Sequence, residues 1–256
     1  MDTAIVKSHL NLRAVIPALG ELAARDEEAR GIAKRAKGTV QLSLVNGPTT
    51  VVDFAGDGGV RVNGEAQMLP SVGMLFPRPS VINKMFAGET AIPILWKGIT
   101  KLGLIKAFGD LAQRLDAVIG DPDTYLKEHP DQLHTVVSLL FGVATRGVAV
   151  LANTDEHIKP IIAGTPRGVA NFILGEGEQE IACHFTLTDE GLAVASGKHP
   201  KANADLIIPD LAQAFELFQG RLDAMAAACN GTVIMKGHLM LLDGINTTLG
   251  RLGSYL

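Results

Sequence analysis

A chain of 256 residues with a net charge of −4 and an isoelectric point near 6.0 has no Lys/Arg surplus of the kind a nucleic-acid footprint needs, so no nucleic acid is expected as a partner. Hydrophobic residues make up 47% and aromatics only 5%, with a mean hydropathy of +0.23. The apolar mass is therefore aliphatic and must be hidden. Two cysteines, Cys183 and Cys229, do not make a disulfide framework, and no charged-then-apolar leader opens the chain, so a reducing, cytoplasmic setting is expected.

In chain order, residues 3–37 place apolar side chains at helical steps (Leu10, Ala14, Ala18). The period then changes to two: Val40, Leu42 and Leu44 alternate with polar neighbours, Asn46-Gly47 punctuates, and Val51 to Phe54 runs back as a hairpin. Val60 to Val62 and Met74 to Phe76 read as further strands, and three or four hairpin-linked strands imply an antiparallel sheet. Pro77 then stands where a helix starts and Gly88 where it stops. Asp121-Pro122-Asp123 and Lys127 to Asp131 read as a linker or capping turn.

A helix over 131–165 follows. Its apolar run, Thr135 to Asn153, carries Arg146 near the centre, which favours a buried helix over a membrane span. Phe172 and Leu174, Ile181 to Leu187, Leu192 to Val194 and Leu206 to Ile208 repeat the strand pattern. Pro209 and Gly220 bracket another helix, Gly231 to Gly237 is a strand, and His238 to Leu252 is a final helix.

The chain is in fact self-similar at about 130 residues. Gly38 meets Gly168 at an offset of 130, Phe54 meets Phe185 at 131, and Asp57, Gly59, Val62, Pro77, Phe86 and Gly88 meet Asp189, Gly191, Val194, Pro209, Phe218 and Gly220 at 132. The matches favour residues that fix turns, helix starts and core contacts, so two tandem modules are expected: 1–120, a linker over 121–130, and 131–256. Strands grouped between helices argue for α+β.

Phe218-Gln219-Gly220-Arg221-Leu222-Asp223, then Gly231 to Gly237 with Lys236, then an aliphatic helix, resembles the closing signature of the sterol carrier protein type 2 family. Asp205 to Ile208 before Pro209 is similar to that family's Ala-Asp strand. The resemblance covers 38–118 and 168–253, and the first copy departs further, with Glu89 after Gly88 and Pro93 and Trp96 in the spacer. It implies a five-stranded sheet covered by helices in each module, with an apolar gap between them that accepts a lipid or other hydrophobic small molecule. It implies no cofactor.

The candidate ligand-binding residues are Met74, Phe76, Val81, Met85, Phe86, Leu95, Trp96, Ile99, Leu102 and Ile105 in the first copy, with Leu206, Ile208, Leu211, Phe215, Phe218, Met225, Ile234, Met235, Leu239 and Leu242 in the second. Ordinary core is the competing reading of each. Five of the seven methionines, Met74, Met85, Met225, Met235 and Met240, fall in or beside these segments, and flexible thioethers suit varied apolar partners. Catalytic groups are not evident: Cys183 and His184 adjoin on a strand and point to opposite faces, and the histidines lack metal-site spacing, so neither an enzyme nor a metal is expected. From Ala91 to Phe108 the chain has Lys97, Lys101 and Lys106 and no acid; with Trp96 this stretch suits peripheral contact with an anionic membrane. The rival to a carrier is an accessory protein whose modules serve assembly, as a homo-oligomer or with enzymes of lipophilic substrates.

Overall fold

The computed structural model describes residues 3–222 and 224–255, apart from the side chains of Ala224 and Met225. The chain divides into two compact units, Met1–Glu128 and His129–Leu256. In the first, α1 (Thr3–Leu10) runs through a π-helical turn, Asn11–Val15, to α2 (Ala18–Arg25) and α3 (Glu27–Lys34). Pro17, which has no N–H to donate, stands where the α-helical ladder is interrupted. Strands β1 (Gly38–Leu44), β2 (Thr49–Phe54), β3 (Val60–Asn63) and β4 (Val72–Phe76) follow, then α4 (Pro79–Phe86), β5 (Ile94–Lys97), α5 (Leu102–Ile119) and α6 (Pro122–Glu128). The segment read as a linker thus holds a helix, and α6 packs on α5.

The second unit has α7 (Leu133–Thr154), α8 (Lys159–Gly164), β6 (Gly168–Leu174), β7 (Ile181–Thr188), β8 (Gly191–Ser196), β9 (Ala204–Ile208), α9 (Leu211–Phe218), α10 (Ala224–Cys229), β10 (Ile234–Gly237) and α11 (Leu239–Leu252). α7 is long and apolar enough to cross a membrane by length and composition, but 78% of its most apolar stretch is buried. Pro77 and Pro209 stand before their helices, not in the first turn; Pro79 takes that place in α4, and the Asp210 carboxylate caps α9 by accepting from the Ala212 N–H at 2.8 Å. Gly88 and Gly220 stop the two helices in left-handed backbone, φ +72° and +67°.

The architecture is α+β with one five-stranded sheet per unit, ordered β3-β2-β1-β4-β5 and β8-β7-β6-β9-β10. The sheets are mixed. β4 does not continue the hairpins as expected: it crosses over to pair in parallel with β1, and β9 pairs likewise with β6. A side chain at one position of the central strand holds each crossover. Gln41 accepts from the Gln67 N–H at 2.7 Å, and Asn171 accepts from the His199 N–H at 2.8 Å while its amide donates to the His199 carbonyl at 3.2 Å.

Helices pack on the face formed by Val40, Leu42 and Leu44 with Val52, Phe54, Val72, Met74 and Phe76, all buried, where the Thr50 hydroxyl donates to the Leu12 carbonyl at 2.8 Å. In the second sheet Phe172 and Phe185 meet edge to face on the corresponding side, their centroids 5.0 Å apart. The sheet register corrects one part of the repeat. Gly38 pairs with Phe54 and Gly168 with Leu187, so Phe54 is the counterpart of Leu187 rather than Phe185. The longer β6–β7 turn, which contains the 3-10 segment Gly177–Gln179, supplies the shift.

Candidate functional site

In the second unit the expected gap lies over β9, where α9 and α11 both pack but make little contact with one another, while α7 packs against both. In the first unit α4 packs on β4 and α5 on β1, again with little contact between the helices. The residues expected to line these gaps fall into three sets. Met74, Phe76, Leu206, Ile208, Leu211, Phe215 and Leu242 are buried. Val81, Met85, Phe86, Leu95 and Ile105, with Phe218 and Ile234, are half-buried. Trp96, Ile99, Leu102, Met235 and Leu239 are exposed. The physical reason is shared: β5 and β10 are edge strands, and Ile99, Leu102 and Leu239 lie where the chain turns from that edge into the last helix. The side chain of Met225 lies outside the described residues. Sequence reasoning missed Ile82, Leu111, Leu241 and Ile245, fully buried on the helices that frame the gaps.

The edge itself is built alike in both units, with one insertion. Gly98 and Gly237 end β5 and β10 with φ +83° and +79°, and a Cβ on either would press into the backbone of the paired strand, at the Ser71 and Asn203 carbonyl oxygens. Only glycine suits such a position. Between these glycines and the strand starts, Lys97 pairs with Gly73 and Lys236 with Asp205. Leu95 pairs with Met74, so Trp96 is the extra residue of a β-bulge and has no counterpart in β10. Its indole lies over Gly73, where an added Cβ would collide with Trp96 Cε2. The ring therefore sits on the sheet face away from the helices. Lys106 is drawn into an ion pair with Asp110 at 2.9 Å, leaving Lys97 and Lys101 as the basic residues that follow Trp96 most closely in the chain.

Each unit also fastens its last long helix with an Asp–Arg–Tyr cluster that sequence reasoning missed. Asp26 caps α3 by accepting from the Ala29 N–H at 2.7 Å, accepts from Arg114 of α5 at 2.7 and 3.3 Å, and Arg114 donates to the Tyr125 hydroxyl at 3.2 Å. In the second unit Asp155 accepts from the His157 N–H at 2.8 Å, from the Tyr255 hydroxyl at 2.8 Å and from Arg251 of α11 at 3.5 Å. Each guanidinium stands 5.4 Å from its tyrosine ring centre. Burial pushes both carboxyls up, but it is outweighed. The Arg114 and Ala29 hydrogen bonds hold Asp26 below the usual carboxylate range, and the His157, Tyr255 and Arg251 bonds do so for Asp155. The signal was legible: Tyr125 and Tyr255 are the chain's two tyrosines and lie one repeat apart.

The second unit has an open cleft of about 480 Å³ at the C-terminal ends of β6 and β9. Asp131, His134, Glu176 and Asp210 line it, and Leu211 is the one expected lining residue that borders it. Its polar walls suit water better than a hydrophobic ligand. Cys183 is buried, and that burial pushes its thiol up to about 12, so it is not a nucleophile at neutral pH. His184 points to the other face, its Nδ1 2.9 Å from the Gly197 carbonyl. Among the described residues no group of His, Cys, Asp and Glu could hold a metal ion.

No protein-family model matches the chain, and no curated protein does. Solved structures of sterol carrier proteins match it over about 40% of its length each. Sterol carrier protein 2 from Yarrowia lipolytica is 18% identical, with 40% of this chain and 91% of that one covered and a TM-score of 0.33. Sterol carrier protein domain 2 of Helicoverpa armigera is 15% identical, with 43% and 85% covered and a TM-score of 0.35. A sec-alkylsulfatase from Pseudomonas is 16% identical over 44% of this chain and 16% of its own, with a TM-score of 0.29.

Proposed function

We propose that this protein is a non-enzymatic carrier that sequesters or transfers a hydrophobic molecule, a sterol, fatty acyl chain or other lipid, seated in the helix–sheet gap of each unit. The observation that carries this reading is the graded burial of the same segments in both units. A buried floor on β4 and β9 gives way to a half-buried apolar rim from α4 and β5 and from α9. Val81, Met85, Phe86, Leu95 and Phe218 keep partial contact with solvent, so a lipid tail that wedges between rim and floor gains burial at about 25 cal/mol per Å². Methionine and phenylalanine at the rim give way by rotation about side-chain bonds, with no backbone movement.

Mass spectrometry of an organic extract of the purified protein is expected to reveal co-purifying lipid. Displacement of a fluorescent fatty acid should then weaken at least tenfold in a Met85→Asp, Phe218→Asp double variant that keeps its far-ultraviolet circular dichroism. A ligand-free extract together with no fluorescent fatty-acid binding by the wild-type chain would overturn the carrier reading.

A further inference from the structure

The edge of the first sheet is a second apolar feature, separate from the helix–sheet gap, and it faces solvent. Trp96, Ile99 and Leu102 are 46%, 66% and 70% exposed along β5 and its exit. Gly98 lies against the Ser71 carbonyl. Met68 and Leu69, 93% and 80% exposed in the crossover, precede Ser71 by so few residues that they emerge within about 10 Å of it. Exposed apolar side chains of this size gathered at a single edge mark a surface built to be covered.

The charge around this edge selects what covers it. From Ala66 to Gly109 the sole acid is Glu89, 3.9 Å from Lys84, while Lys97 and Lys101 follow Trp96 in the chain. The bulge sets Trp96 over Gly73, its indole resting on the sheet with about half of the side chain open to solvent, an aromatic with a polar N–H of the kind enriched at membrane interfaces.

We infer that the β5 edge of the first unit docks on an anionic lipid bilayer, with Trp96, Ile99 and Leu102 entering the headgroup layer and Lys97 and Lys101 meeting the lipid phosphates. The second unit has the same edge in weaker form: Met235, Leu239 and Met240 are exposed, but the bulge and its tryptophan are missing and Lys236 pairs with Asp205 in the sheet register. Docking is therefore the task of the first unit. It does not depend on the carrier reading, because it rests on exposed side chains.

Trp96 is the chain's single tryptophan, so its emission reports on this surface alone. The full-length protein is titrated with vesicles of equal phosphatidylcholine and phosphatidylglycerol, and with phosphatidylcholine alone, following Trp96 emission and co-sedimentation. The expected result is a blue shift and sedimentation with the anionic vesicles only. Each lysine near the surface is worth about fivefold, so Lys97→Glu with Lys101→Glu should weaken binding at least about 30-fold. Ile99→Ser with Leu102→Ser should reduce the blue shift while circular dichroism is unchanged. Replacing the whole Lys106–Asp110 pair by Gln and Asn should leave binding within about twofold, because the pair carries no net charge. The proposal is overturned if anionic vesicles leave Trp96 emission unmoved, if the lysine variant binds as tightly as the wild type, or if a dimer of the free protein already buries Trp96.

Discussion

The two units share a strand order, a parallel crossover, a glycine stop at the edge strand and an Asp–Arg–Tyr cluster, yet their edge strands differ by one inserted residue. In β10 the register runs without interruption and Lys236 stands opposite Asp205; in β5 an inserted Trp96 bulges out over Gly73. The crossovers differ in the same sense. The first exposes Met68 and Leu69, whereas the second carries Lys198, His199 and Lys201, with Lys198 paired to Glu180 at 2.8 Å. Both units thus keep what each sheet needs to close, and they differ at the outer edge. A fold tolerates this because an edge strand has one hydrogen-bonded neighbour, so a bulge there disturbs one ladder instead of two.

The strongest way to break the symmetry is through the clusters. The Asp26–Arg114 pair is largely buried, with side chains 6% and 18% exposed, so Asp26→Ala strands a cation and removes a helix cap. A loss of about 3 kcal/mol is expected in denaturant unfolding followed by Trp96 emission. Asp155→Ala should cost less, because the guanidinium of Arg251 is more open to water. Both carboxyls are held below their ordinary value, so their contribution is present above the unfolded-state pKa of about 4 and is lost as pH falls through the lower folded-state values. Stability measured from pH 6 to pH 2 should decline in that window for the wild type and stay flatter for Asp26→Ala. An equal slope in the two proteins would remove Asp26 from the account.

Gly73→Ala tests the bulge. The added Cβ collides with the Trp96 ring, so the indole is pushed outward at a cost of about 1 kcal/mol, read as a red shift of the emission. An unchanged spectrum would mean that the ring does not rest on Gly73. The smallest expected effect is at the crossovers. Gln41→Ala and Asn171→Ala each leave a backbone N–H, of Gln67 or His199, without its side-chain acceptor, and each should cost about 1 kcal/mol. Faster amide exchange at those two positions would show it.

Much of this was legible in the residues. Turn glycines, the period change at Val40 and the recurring proline and glycine bracket around α4 and α9 located most strands and helices, because local backbone preference and burial agree there. The pairing of Phe54 with Phe185 was misleading: residues two apart on a strand share a face, so a slip by one pair preserves the pattern of burial and leaves no local trace. The candidate site divided in the same manner. Met74, Phe76, Leu206 and Ile208 could be placed inside from alternation alone, whereas Trp96, Ile99, Leu102, Met235 and Leu239 look equally apolar in sequence and are exposed only because β5 and β10 lie at sheet edges.

By itself, then, the sequence determined that the chain is an α+β protein with two sheets and aliphatic cores, because periodicity and turn chemistry act over a few residues. The tertiary structure decided that β4 and β9 cross over to lie parallel to β1 and β6, which residues the edges leave uncovered, and that Asp26 and Asp155 meet an arginine and a tyrosine about a hundred positions away. Those relations depend on which strands end as neighbours, and no local preference encodes a neighbour.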